Sequence, residues 1–130
     1  MGDMGNGYRI LVAEDDAVSR RLFVRFLEKN GFFVLVANTG CEAVAFYQKG
    51  KIHLILMDVR MPEMDGFTAT KRIREHEKIS GGHVPILAVT ACAIQGDREK
   101  CLAAGMDDYI TKPIDLEDLI NRIYRWLKAY

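Results

Sequence analysis

The sequence predicts an α/β domain built on a five-stranded parallel sheet with five helices on its two faces. Two observations carry this expectation. Five short apolar runs alternate with amphipathic segments along the chain, and such continuous runs suit strands buried on both faces, as parallel sheets require. Four of the runs end on polar groups: Glu14-Asp15, Asp58, Thr90 and Lys112. A parallel sheet points all its strands the same way, so these groups would meet at the carboxyl edge, where open α/β sheets bind ligands. A β-α repeat also implies right-handed crossovers.

The elements follow in order. Strands are expected over about Arg9–Ala13, Phe33–Ala37, His53–Met57, Pro85–Val89 and Asp107–Thr111. In the first helix Val18, Leu22 and Phe26 recur at i, i+4 and i+8, beside Phe23 and Leu27, and Gly31 supplies the stop. Thr39-x-x-Glu42 reads as a capping box opening the second helix. Asp65 is the expected N-cap of a third, running to about Glu77, before Ser80-Gly81-Gly82 breaks the chain. The fourth is short, about Gly96 to Ala104, closed by Gly105. The last opens at Asp115 and carries a stripe of Leu116, Leu119, Ile120, Ile123 and Leu127 that reads as core packing. Its other side holds Trp126 and Tyr130, expected to stay exposed.

Bulk properties narrow the function classes. With 130 residues the chain fits one domain: residues 8–130, after a small polar leader over residues 1–7 that is expected to be flexible. Gly2 does not read as a myristoylation site, because Asn6 stands where Ser or Thr is wanted. Lys plus Arg and Asp plus Glu number 18 each, so no overall field draws the chain to nucleic acid or an anionic membrane. No apolar run approaches the roughly 20 residues of a membrane span, and no signal peptide is recognisable. Cys41, Cys92 and Cys101 are odd in number without C-x-x-C spacing. They are expected to be buried or half-buried thiols in a reducing cytoplasm. His53, His76 and His83 lack zinc spacing.

The strand ends define the chemistry. Asp58 follows a buried run and precedes Val59-Arg60-Met61-Pro62, where proline ends the strand. A carboxylate so placed, exposed to the crevice, can attack phosphorus and become an acyl phosphate if charge on the transferring group is neutralised. Glu14 and Asp15 are candidates to hold Mg²⁺, which keeps several waters and needs only one or two carboxylates. Lys112 supplies a mobile point charge suited to pairing with Asp58, and Thr90 a hydroxyl donor, with small Ala91 leaving the approach open.

In these segments the chain strongly resembles the receiver domain of two-component response regulators, from about Tyr8 to Leu127. The carrying stretches are Ile-Leu-Val-Ala-Glu14-Asp15-Asp16, Met57-Asp58-Val-Arg-Met-Pro62-Glu-Met-Asp-Gly66, Ala88-Val-Thr90-Ala91 and Tyr109-Ile-Thr-Lys112-Pro113. Glu14 and the Cys101-Leu-Ala-Ala-Gly-Met-Asp-Asp stretch look most like receivers of hybrid sensor histidine kinases. The resemblance implies the flavodoxin-like order 2-1-3-4-5, the order given for a chemotaxis receiver of this fold. It implies phosphoryl transfer to Asp58 from a phosphohistidine on a sensor histidine kinase or histidine phosphotransfer protein. It further implies Mg²⁺ (or Mn²⁺) held by Asp15, Asp58 and the Arg60 backbone carbonyl, with Glu14 acting through water. Thr90 and Tyr109 match the family's switch pair, which alters the partner preference of the face built from helix four, strand five and helix five. Arg60 and Cys92 match positions that line the entrance and tune acyl-phosphate lifetime.

On this reading the domain's only chemistry is its own phosphorylation and dephosphorylation, with no direct nucleic-acid or membrane contact. It stands in the cytoplasm, free or as part of a membrane-bound hybrid kinase. A Mg²⁺-dependent phosphohydrolase with an Asp nucleophile is disfavoured because Arg60 stands where such enzymes carry a second Asp. A flavin-binding module would want a Gly/Ser/Thr-rich first loop rather than Glu-Asp-Asp-Ala-Val. A phosphorylation-independent binding module remains the other alternative, and Trp126 with Tyr130 could mark a weak homodimer face.

Overall fold

The computed structural model describes residues 7–91 and 97–128. Expectations about Gly2, Asn6, Cys92, Gly96 and Tyr130 fall outside the described residues. Strands β1 (Arg9–Ala13), β2 (Phe33–Ala37), β3 (Leu54–Asp58), β4 (Ile86–Thr90) and β5 (Asp108–Thr111) alternate with helices α1 (Ala17–Lys29), α2 (Gly40–Gln48), α3 (Gly66–Ser80), α4 (Asp97–Ala104) and α5 (Leu116–Lys128). All strand pairs are parallel, and the sheet order is β2-β1-β3-β4-β5.

Alternation along the strands sorts the core into two layers. Leu11, Ala13, Ile55, Met57, Ile86 and Ala88 pack with Ala43, Ala69, Ile73 and Cys101, placing α2, α3 and α4 on one face. Ile10, Val12, Leu54, Leu56, Leu87 and Val89 pack with Phe23, Leu27, Leu119, Ile123 and Leu127, placing α1 and α5 on the other. Each such buried Val, Leu, Ile, Phe or Met side chain contributes about 1.5–3 kcal/mol. The expectation of strands buried on both faces holds for β1, β3 and β4; β2 and β5, at the sheet edges, are half-buried over most of their length.

Local signals set the helix starts. Asp16, Thr39 and Asp65 each accept a hydrogen bond from the backbone N–H three residues on. The Thr39 box closes one residue early, since Glu42 Oε1 accepts from Asn38 N at 2.7 Å. α3 runs on past Glu77 to Ser80, where Gly81 at φ 86° ends it. Two expectations about burial fail on α1 and α5. Val18 (78% exposed) and Leu22 (47%) face outward, and the core takes Phe23 and Leu27 instead. Trp126 does not stand free: its Nε1–H donates to Asp108 Oδ2 at 3.0 Å. Cys101 is buried, whereas Cys41 is exposed rather than half-buried.

The amino edge of the sheet is tied by one guanidinium. Arg74 on α3 donates to Glu77 Oε1 (2.8 Å), Val84 O (2.8 Å), Gly105 O (2.9 Å) and Asp107 Oδ2 (2.7 Å). Gly105, at φ 107°, lies so close that a Cβ there would stand 2.9 Å from Arg74 Cγ. Asp107 in turn accepts from Ile86 N at 2.8 Å, fixing where β4 begins beside β5. Removing one partner from a buried pair leaves the other's charge uncompensated and costs about 3–5 kcal/mol. Arg74→Met is therefore expected to lower the urea-unfolding free energy by about that amount; a loss below about 1 kcal/mol would show the network to be dispensable.

Candidate functional site

The opposite, carboxyl edge carries the charge that remains uncompensated. β1 and β3 are neighbours, so the residues following Ala13 and ending β3 meet there. Carboxylate oxygens of Glu14, Asp15 and Asp58 all lie within 4.8 Å of one another. Asp15 is exposed, Glu14 is buried, and Asp58 is only 6% exposed, so the expected crevice-facing nucleophile is more sheltered than its strand-end position implied.

Each carboxylate is held differently. Asp58 Oδ1 accepts from Arg60 N at 3.0 Å. Glu14 Oε2 accepts from Asp16 N at 3.1 Å. Glu14 Oε1 is fully buried and accepts no directed hydrogen bond among the described residues, although Lys112 Nζ stands 3.3 Å away as an ion-pair partner. The ammonium supplies charge there, but off the direction a hydrogen bond needs. Lys112 Nζ is farther from Asp58 Oδ2, at 3.7 Å, so the expected Asp58 pairing is shared with, and slightly biased toward, Glu14.

Burial, followed by its contact with the Asp58 carboxylate, pushes the Glu14 carboxyl up to about 7. Burial works against the Lys112 charge, but Asp58 and then Glu14 outweigh it and hold the ammonium above the usual lysine range. An orphaned buried oxygen, two further carboxylates and a high-lying carboxyl pKa together fit a small, hard divalent cation with oxygen ligands.

The remaining expected residues surround this centre. Thr90 ends β4 and is buried, one residue beyond Val89, the register partner of Asp58. Its carbonyl accepts from Lys112 N at 2.8 Å, which fixes the loop bearing the ammonium. Arg60 is exposed on the loop after β3. Tyr109 on β5 is set apart from the carboxylates. It lines a groove of about 430 Å³ with residues of α4 and α5, among them Arg98, Leu102 and Arg122.

Sequence reasoning left Gly66 without a role of its own. A Cβ at Gly66 would stand 2.3 Å from the Asp58 carbonyl oxygen, so only glycine lets α3 start this close to the Asp58 backbone. The Asp65-Gly66 pair was visible, but the long-range approach that demands it was not. Asp16 likewise caps α1 by accepting from Ser19 N at 2.8 Å, a role its three-residue spacing to Ser19 could have signalled.

A doubly wound sheet whose carboxyl edge gathers acids, a hydroxyl and a lysine defines a class of phosphoryl-handling α/β domains. Known proteins narrow the class. The family described as response regulator receiver domain matches residues 10–124. A Dictyostelium discoideum protein named hybrid signal transduction histidine kinase I is 46% identical over 121 residues, 87% of this chain and 7% of its own length. The receiver domain of the sensor histidine kinase PA1611 from Pseudomonas aeruginosa, solved with magnesium in its active-site cleft, superposes with a TM-score of 0.86. It is 41% identical, over 94% of this chain and 98% of that one. The receiver domain of Ssk1 from Saccharomyces cerevisiae, crystallised with the histidine phosphotransfer protein Ypd1, gives 0.89 at 35% identity, over 93% and 89% of the two chains. This chain belongs to the response regulator receiver family, a family of signalling domains in two-component phosphorelays. It spans only a small part of the curated hybrid kinase it matches. Among the described residues no helix is long and apolar enough to cross a membrane.

The raised Glu14 pKa has a stability consequence without divalent cation. Between the ordinary glutamate range and about 7, the folded state binds more protons than the unfolded one, so wild-type stability falls as pH rises. Glu14→Gln removes that loss while keeping an acceptor for Asp16 N. In EDTA, the variant's Tm is expected to gain on wild type from pH 5 to pH 8, and saturating Mg²⁺ at pH 8 to reverse the order. A Tm difference that ignores pH would place Glu14's charge elsewhere than in a buried, cation-completed site.

Proposed function

We propose that this chain is a phosphoacceptor module in which Asp58 takes a phosphoryl group from a phosphohistidine on a partner protein. The observation that carries this reading is the trio of carboxylates within 4.8 Å, faced by Lys112. Asp15, Asp58 and the Arg60 backbone carbonyl would hold Mg²⁺, with Glu14 acting through water, and the ion would supply charge neutralisation for the phosphoryl oxygens. Asp58 attacks phosphorus as the phosphorus–nitrogen bond to the donor histidine, protonated on its other ring nitrogen, breaks, leaving an acyl phosphate on Asp58 and a neutral imidazole on the donor. Lys112 transfers its contact from the carboxylates to a phosphoryl oxygen, and Thr90 donates its hydroxyl to another.

Tyr109 then follows Thr90 inward. Its half-buried place lining the groove between α4 and α5 supports this. The change biases a two-state face for partners. The donor is a histidine phosphotransfer protein or a sensor histidine kinase. Val18 and Leu22, exposed in the first two turns of α1 directly after the acidic loop, provide apolar contacts at the edge a donor histidine must approach.

Intact mass after incubation with acetyl phosphate tests this directly. One phosphoryl group is expected on wild type with Mg²⁺, and none with EDTA or in Asp58→Ala; full labelling of Asp58→Ala would overturn the assignment. In a second arm, Val18→Asp with Leu22→Asp is expected to keep acetyl phosphate labelling and to lose most transfer from a phosphorylated histidine phosphotransfer protein. Equal transfer to variant and wild type would remove α1 from the docking face.

A further inference from the structure

Asp15 presents a difficulty for the site described above. Its carboxylate is exposed and, among the described residues, accepts no hydrogen bond, so nothing fixes its aim except the backbone that carries it. Mg²⁺ demands near-ideal octahedral geometry at short ligand distances, and a loosely aimed ligand would bind it poorly. The backbone of this loop is held unusually well. Glu14 N donates to Ala37 O of β2 at 3.0 Å. Asp16 N donates to Glu14 Oε2 at 3.1 Å, and Asp16 itself caps α1. The two carbonyls left between strand and helix, those of Glu14 and Asp15, would otherwise turn to water.

Both are instead taken by one side chain. Arg20, half-buried one turn into α1, sends Nη1 back to donate to Glu14 O at 3.1 Å and to Asp15 O at 3.3 Å. Its own backbone N–H bonds Asp16 O at 2.9 Å, so the arginine is anchored in the helix whose start it clamps. We propose that Arg20 is a positioning residue: its guanidinium fixes the peptide planes of Glu14 and Asp15 so that their carboxylates converge with Asp58 on one divalent cation. The assignment rests on the phosphoacceptor reading of that site. Arg20 touches neither the cation nor the phosphoryl group and acts through the backbone of two residues that face them.

The charge of Arg20 and its geometry have opposite effects on the cation, which makes the roles separable. A guanidinium close to the site repels Mg²⁺, so if charge alone mattered, removing it would tighten binding. If the clamp matters, removing it weakens binding, as loss of outer-shell partners does, by about tenfold at the low end of the usual range. A purely structural contact would lower Tm and leave Mg²⁺ affinity alone.

Calorimetric Mg²⁺ titration of wild type, Arg20→Met and Arg20→Lys decides between these, with Tm in EDTA read alongside. The expected dissociation constant is about tenfold higher in Arg20→Met, with Arg20→Lys between it and wild type because lysine keeps a donor on a shorter reach. Acetyl phosphate labelling of Asp58 is expected to recover in both variants at saturating Mg²⁺. Unchanged or tighter Mg²⁺ binding in Arg20→Met, with normal labelling, would overturn the Arg20 assignment alone. Wild-type protein that bound Mg²⁺ but accepted no phosphoryl group would overturn the phosphoacceptor reading, while weaker Mg²⁺ binding in Arg20→Met would still uphold Arg20's role.

Discussion

Three carboxylates brought to one edge of a parallel sheet repel each other, and the rest of this structure is arranged around that repulsion. Glu14, Asp15 and Asp58 converge because β1 and β3 are adjacent and point the same way. Nothing in the hydrophobic core requires acids there; Ala13 and Met57, the residues just before Glu14 and Asp58, are already core. Lys112 offsets part of the cost from the end of β5, reaching Glu14 and Asp58 at 3.3 and 3.7 Å. One ammonium cannot neutralise three carboxylates, and burial, followed by the contact with Asp58, leaves the Glu14 carboxyl raised to about 7. On the proposed reading a divalent cation resolves the imbalance and an arriving phosphoryl group exploits it.

The two edges of the sheet are built on opposite electrostatic plans. At the amino edge Arg74 meets Glu77 and Asp107 in closed pairs, with further bonds to two backbone carbonyls. At the carboxyl edge an oxygen of Glu14 has no directed partner among the described residues. Buried polar groups are ordinarily satisfied, and exceptions concentrate where function needs them. The satisfied edge locks the starts of β4 and β5 to α3, which lets the other edge carry strain without loosening the sheet. On the α5 side, Asp108 accepts from Arg122 (2.6 Å) and Trp126 (3.0 Å), so the residue preceding Tyr109 is tied directly to the helix that frames the groove. Arg122 also donates to Tyr109 O at 3.4 Å, so movement of Tyr109 would be felt at α5 both directly and through the Asp108 carboxylate.

Much of this was legible in the sequence because its signals are local. The apolar runs fix the strands to within a residue, and Thr39, Asp65 and Asp115 sit where caps were expected. What the sequence hid depends on contacts between distant segments. α1 is apolar on most of its circumference, with Val18, Leu22, Phe23, Val24, Phe26 and Leu27, so spacing alone could not choose the buried stripe. Packing against the sheet takes Phe23 and Leu27 and leaves Val18 and Leu22 outside. Trp126 finds its partner 18 residues away, and the Asp58 carbonyl excludes any side chain at Gly66. The acids and lysine that follow the strands do gather at this edge, while the preference of Lys112 for Glu14 depends on contacts made only in the fold.

The most direct test of this account is a calorimetric titration of Mg²⁺ into the wild-type protein at pH 7, repeated in two buffers of different ionisation heat. With the Glu14 carboxyl poised near pH 7, binding is expected to be saturable, one to one, and accompanied by release of a fraction of a proton. Saturable binding with proton release would establish that the gathered carboxylates form a cation site completed by charge. Absence of saturable binding would contradict the account at its root, because the three carboxylates would then be a surface cluster and not a site.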